Sequence, residues 1–293
     1  MKQFITDITP VIKANYKKMI VLIVILLLAF VTVWFFVFSE NIRHRITDSK
    51  ERAIIIDARI IDKNKAIMNV SKNLIAIQIE QISNLSRIYL AKPGFVEAIV
   101  QKRWQGALEI VEPILEESSY IERIFITDAE GTLKSDFPIA ENVIGKNFAF
   151  RDWYIGAVRN LGPYLSEVYT RSAEPRHNVV SFATPILDRD KISGFFVIQL
   201  NLDIFKKWLV QINDNLTARV FIIDQRGHVV VHPDLDTKTK IIDYSLEPDV
   251  QELFAHGPNT EVILAKDIYL SSFGIIPEYQ RGVISRLPVS KIK

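Results

Sequence analysis

The hydrophobic pattern divides the chain before any motif does. Residues 19–38, MIVLIVILLLAFVTVWFFVF, form one apolar run without a charge, Pro or Gly. It is long enough to cross a bilayer as a helix, and Trp34 lies toward one end, where interfacial aromatics concentrate. From 39 to 90 there is no Gly or Pro. Ile42, Ile46, Ile54, Ile61, Met68, Ile75, Ile79, Ile82 and Leu85 recur there largely at spacings of three, four or seven. That is the narrow apolar stripe of one long amphipathic helix, predicted over 39–91 and stopped by Lys92-Pro93-Gly94. Two shorter helical pieces follow between 95 and 117, before and after Arg103-Trp104. The period then changes. Residues 121–135 read as strand, turn and strand, and 164–170, 177–187 and 194–200 as three more strands. A helix is predicted over 152–159, ended by Gly162-Pro163, and another over 203–212 with Asp203 in its first turn.

A second cycle begins at 218. FITDAEG at 125–131 is matched by FIIDQRG at 221–227, with Phe, Ile, Asp and Gly in the same places. The chain therefore repeats one β-turn-β unit, and each copy is expected to open its own antiparallel sheet. The second copy continues with a helix near 249–255 and strands at 262–270 and 281–287. The predicted fold class is α+β: a transmembrane helix, a long stalk helix and two PAS-like antiparallel-sheet modules in tandem. The corresponding divisions are 1–18 (cytoplasmic tail), 19–38 (span), 39–91 (stalk), 92–213 (first module) and 214–293 (second module).

Composition changes this picture little. The chain has 293 residues, a formal charge of +2 and no cysteine. A nearly neutral chain gives no electrostatic reason to bind nucleic acid. Without cysteine, disulfides, thiolate catalysis and cysteine metal sites are excluded. Segment 19–38 is longer than a signal-peptide core, and no small-residue cleavage pattern follows it, so an uncleaved anchor is expected. Lys13, Lys17 and Lys18 precede it and Arg43 and Arg45 follow it, so flanking charge scarcely sets orientation. The globular part is placed outside the inner membrane, in the periplasm or beyond, because everything after the span reads as an exported domain. The stalk stripe suits either pairing with a second copy or docking on the chain's own domain; a homodimer is expected.

Candidate chemistry concentrates in 148–169, FAFRDWYIGAVRNLGPYLSEVY. Arg151 offers a planar fork of donors suited to a carboxylate. Trp153, Tyr154, Tyr164 and Tyr169 offer large apolar faces with polar tips. Such a set would wall a pocket for a compact anion. The plainer alternative is that the aromatics are core and Arg151 pairs with Asp152 or Glu167. Elsewhere, His228 and His232 are too far apart along a strand to share a metal, and no phosphate loop, nucleophile elbow or zinc-protease motif occurs. No cofactor and no enzymatic activity are expected.

With its order of anchor, long helix and two sheets, and with RDWY, YLSEVY, SFATPI and GFFVIQLNLDIF, the chain resembles the double Cache (dCache) sensor domains of bacterial chemoreceptors, histidine kinases and diguanylate cyclases. The resemblance covers most of the chain after about residue 40 and is strongest over 145–203. It implies a ligand site in the first, membrane-distal module. There Arg151 would hold a ligand carboxylate, with Trp153, Tyr154 and Tyr169 as walls. Amino-acid-sensing members carry an Asp on the strand after Gly194; this chain has Gln199 at that place. A neutral amide cannot pair with an ammonium as a carboxylate does. The expected function is thus an extracytoplasmic input domain binding a small carboxylate. The alternatives are an amino-acid sensor of the same fold, or a ligand-free dimerising ectodomain. The output domain is expected elsewhere, on a longer chain or a separate partner.

Overall fold

The computed structural model describes residues 58–214, 218–257, 262–265 and 269–288. The proposed anchor 19–38 and the first part of the stalk lie outside these residues. Among the described residues, no helix is long and apolar enough to cross a membrane.

Within the compact unit that begins at Ile60, α1 runs from 60 to 90. Met68, Ile75, Ile79, Ile82 and Tyr89 are buried along it at helical spacing. The described part of the stripe therefore docks on the chain's own sheets. Asn64 anchors one end: its Nδ2 donates to Leu270 O (3.2 Å) and Ser285 O (3.1 Å), and its Oδ1 accepts from Ser285 Oγ (2.6 Å). Ser86 meets Thr184 at 3.0 Å nearer the other end. Gly94, at positive φ, turns the chain into α2 (Phe95–Val100). Helices α3 (Trp104–Val111) and α4 (Ile114–Glu117) follow. Pro113 divides what the pattern alone presents as one helix, since a helix interior cannot keep its hydrogen bond there.

The first sheet comprises β1 (Ile121–Asp128), β2 (Leu133–Phe137), β3 (Tyr164–Leu165), β6 (Ser181–Asp188) and β7 (Lys191–Leu200), in the order β2-β1-β7-β6-β3. α5 (Asp152–Asn160) crosses one face, and β4 (Tyr169–Thr170) pairs with β5 (Asn178–Val179) as a separate ribbon. The 164–170 run is thus two short strands in different sheets, not one. Strand β7 is buried on both faces. Phe196 and Ile198 pack toward α1–α3, while Phe195 and Val197 join Phe125 and Trp153 on the other side. Each such fully buried side chain contributes about 1.5–3 kcal/mol.

After α6 (Leu202–Asp214) comes the second sheet: β8 (Arg219–Ile223), β9 (Val229–Val231), β10 (Val262–Ala265), β11 (Tyr269–Ile276) and β12 (Arg281–Pro288), ordered β10-β11-β12-β8-β9. Helix α7 (Pro248–His256) lies against it. The two sheets have the same topology. The sequence repeat extends into hydrogen bonding. Asp128 Oδ1 accepts from Thr132 N (2.7 Å), as Asp224 Oδ1 accepts from His228 N (2.9 Å). Gly131 and Gly227 both take positive φ. Phe148 N donates to Gly131 O and Tyr244 N to Gly227 O, each at 2.8–2.9 Å. The correspondence carries on to the helix starts, where Arg151 N bonds to Phe148 O and Glu247 N to Tyr244 O. Arg151 and Glu247 are therefore equivalent positions, each the N-cap of its helix.

Candidate functional site

In the first sheet, Gln199 on β7 lies opposite Arg123 on β1 and Ser181 on β6. All three face the α5 side, in phase with Phe125, Val197 and Ala183. Above them lies a small cavity of about 30 Å³, partly open to solvent. Arg151, Trp153, Tyr169 and Gln199 line it, together with Arg123, Asp136, Phe125, Phe148 and Ser172. Tyr154 stands apart from this group. Its hydroxyl donates to Ala129 O at 2.8 Å, and its ring packs 4.9 Å from Phe195, so it closes the β1–β2 turn instead of walling the pocket.

Arg151 leaves the N-terminus of α5 and stacks on the Tyr169 ring at 4.5 Å. Only its Nη2 donates to protein, to Thr170 O (3.2 Å) and Ser172 Oγ (3.3 Å). Among the described residues it has no carboxylate partner. The acids beside it in sequence are engaged otherwise. Asp152 accepts from Tyr164 Oη and Glu167 N, and Glu167 pairs with Arg226 at 2.7 Å. The pocket mouth thus presents a guanidinium with donors to spare.

Its floor is polar and buried. Arg123 Nη1 donates to Asp136 Oδ2 (2.5 Å) and to Pro138 O. Burial raises the Asp136 carboxyl despite the neighbouring Arg123 charge. Tyr169 Oη meets Ser181 Oγ at 2.6 Å and accepts from Gln199 Nε2 at 3.2 Å; burial raises its hydroxyl too. Arg123 Nε, Asp136 Oδ1 and Gln199 Oε1 are buried without partners. The sequence reading missed Arg123 and Asp136. Arg123 was visible as one of two adjacent charges, with Glu122, in the otherwise apolar strand IERIFI. Asp136 was hidden by a bulge: the register slips between Ile126 and Thr127, so Leu133 and Asp136 share the pocket face although they are not an even number apart.

The same place in the second module is already filled. Arg286 occupies the position of Gln199, opposite Arg219 on β8 and Ser271 on β11. Its Nε and Nη2 grip Asp249 of α7 bidentately, both at 2.8 Å, and Nη2 reaches Glu247 at 3.3 Å. The guanidinium lies over the rings of Tyr269, Phe221 and Tyr244 at 4.6–5.0 Å. Burial alone would raise the Asp249 carboxyl, but Arg286 and the 2.6 Å bond from Ser271 Oγ outweigh it and hold it below the usual range. His232, packed 5.1 Å from Phe221, is pushed down to about 4 by burial. His228 instead lies 3.3 Å from Asp224 Oδ2, so the two histidines serve different neighbours.

No curated protein matches the sequence. Among solved structures, "Methyl-accepting Chemotaxis protein X" is similar with a TM-score of 0.64 at 13% identity, over 80% of this chain and 99% of that one. The ligand-binding domain of the Pseudomonas fluorescens chemoreceptor CtaA, in complex with L-isoleucine, gives 0.55 at 18%, over 80% and 97%. That of the Pseudomonas aeruginosa amino acid chemoreceptor PctB, in complex with L-Gln, gives 0.53 at 19%, over 78% and 89%. A family model for the Cache domain, dCache_1, matches residues 38–292. The chain thus belongs to the dCache family of extracytoplasmic sensor domains of membrane receptors.

Proposed function

We propose that this chain senses a small carboxylate through its first module and passes the signal toward the membrane. One observation carries the reading. Arg151 lines a pocket and has no carboxylate partner among the described residues, the pocket's own Asp136 being paired with Arg123, whereas the equivalent site of the second module is closed by its own Arg286–Asp249 pair. A buried charge set without its counter-ion is costly to keep unless a ligand supplies it. The similar chemoreceptor domains solved with L-isoleucine and L-Gln support a carboxylate-bearing ligand in such a fold. In this reading Arg151 holds the carboxylate, Trp153 and Tyr169 wall it, and Gln199 lies beneath; Tyr154 supports the module from behind.

The route outward is a strap between the modules. Segment 165–168, just before Tyr169, is held by the second module: Val168 N donates to Asp224 Oδ2 (2.9 Å), and buried Arg281 donates to Leu165 O and Ser166 O. Asn178 is tied to Thr237 and Lys238 at 3.0 and 2.8 Å. Ligand drawing Tyr169 inward would thereby shift a population shared by both modules and α1. We assign 92–213 and 214–293 to these modules, 19–38 to the membrane span, 1–18 to the cytoplasm and the rest to the extracytoplasmic side. A second copy is the partner we assign to the exposed stripe Val70, Leu74, Ile77 and Ile88 on α1. Titration calorimetry with short carboxylates tests the site. Binding should be lost in Arg151→Ala; undiminished binding there would refute it.

A further inference from the structure

The pocket floor specifies more than a carboxylate. Asp136, Gln199 and Arg123 are 1%, 4% and 5% exposed, and each leaves one polar atom unpartnered: Oδ1, Oε1 and Nε. Two acceptors and one donor are thus left unpaired on side chains that line the pocket. The charges facing the pocket are Arg151, Arg123 and Asp136, which sum to one positive charge. Arg171, which also faces Asp136, is neutralised by Glu122 at 2.6 Å, and His177 Nε2 lies 3.0 Å from the same carboxylate. A monoanion brings the buried set to neutrality. A zwitterion would leave one positive charge uncompensated and set an ammonium against Arg123.

Resting on the carboxylate reading above, we propose that the second recognition group of the ligand is a hydroxyl, so that the pocket selects hydroxylated monocarboxylates over amino acids. A hydroxyl donates to Asp136 Oδ1 or Gln199 Oε1 and accepts from Arg123 Nε. An ammonium only donates, and leaves Arg123 Nε buried without a partner. The Gln199 amide does not alter this. Turned over, it would present its NH₂, to which a hydroxyl still accepts and an ammonium cannot.

The test is titration calorimetry on the full 293-residue chain in detergent micelles. Two matched sets serve as probes: propionate, lactate and alanine; then 3-phenylpropionate, 3-phenyllactate and phenylalanine. In at least one set the hydroxy acid should bind about tenfold or more tightly than both relatives. Gln199→Met should shrink its advantage over the unsubstituted acid, read as the ratio of the two affinities in the variant against that ratio in wild type. Gln199→Asp adds the missing negative charge and should reverse the order in favour of the amino acid, by about tenfold. Both variants keep the buried Arg123–Asp136 pair. If the amino acid or the unsubstituted acid matches the hydroxy acid in wild type, the hydroxyl inference falls and the carboxylate reading stands. If no member of either set binds, both fall, because the unsubstituted acids ask only for Arg151.

Discussion

The two modules share one topology and one turn-to-helix hydrogen-bond pattern, yet place charge in opposite ways. In the first, the helix N-cap position carries a cation, Arg151, and the facing strand a neutral amide, Gln199. In the second, the N-cap carries Glu247, the helix adds Asp249, and the facing strand carries Arg286. In the second arrangement Arg286 is paired with both acids. The first leaves Arg151 without a carboxylate partner among the described residues. One scaffold thus carries an internal ion pair in one module and a pocket lined by an unpaired guanidinium in the other, and a few side chains at matched positions decide which.

The largest effect should come from opening the closed site. Asp249 is fully buried, and removing one partner of such a pair typically costs about 3–5 kcal/mol. Arg286→Ala or Asp249→Ala should therefore unfold the second module at much lower urea concentration, read by loss of amide-exchange protection in β8 and β12. Protection unchanged within error would show that the pair is dispensable and the contrast between modules false.

Acid should distinguish the modules next. His232 is held at about 4 against an unfolded value near 6.5. A histidine kept neutral in the fold contributes stability fully above the unfolded value. That stability drains as pH falls from about 6.5 to 4, for a total of about 3 kcal/mol. Melting curves across this range should show the loss. His232→Asn, which keeps an acceptor for the Asp234 amide that His232 Nδ1 now meets at 3.1 Å, should flatten it. An equal slope in the variant would assign the loss to other groups.

At the open site the expected energies are smaller. Arg151→Lys keeps the charge but not the fork, so carboxylate affinity should fall about tenfold, near 1.4 kcal/mol, by titration calorimetry. Affinity equal to wild type would mean that the planar geometry is unused.

Smallest of all should be the effect of Arg151→Ala on the unliganded fold. The side chain is half-buried and makes two hydrogen bonds from one nitrogen, so its loss should cost at most about 1 kcal/mol in chemical denaturation. A loss comparable to that of Asp249→Ala would make Arg151 a structural residue, and the two modules alike after all.

Much of this was legible in the residues themselves. The stripe of α1 follows from helical spacing, which side chains obey wherever one face is covered. The repeat was legible because Asp128-x-x-Gly131 and Asp224-x-x-Gly227 build a tight turn that needs a side-chain acceptor and a positive φ. Arg151 with Trp153 was conspicuous because a charge amid aromatics requires an explanation. Whether Arg151 had a partner was a different matter. Asp152 and Glu167 are near in sequence, but the turn into β3 commits them to Tyr164, the Glu167 amide and Arg226.

Sequence by itself determined the helix period, the two sheets and the turns between them, because these depend on neighbours within a few residues and on which faces are apolar. Only the tertiary structure decided the chemistry of the sites. The bulge in β1–β2 places Asp136 on the pocket face beside Arg123. Strand pairing places Gln199 and Arg286 at equivalent positions in separate sheets. Tyr154, adjacent to Trp153, faces the turn because successive helical residues diverge by about 100°. Local pattern gives the face of a strand or helix; which charges meet across the sheet depends on register, and register is set by the whole packed module.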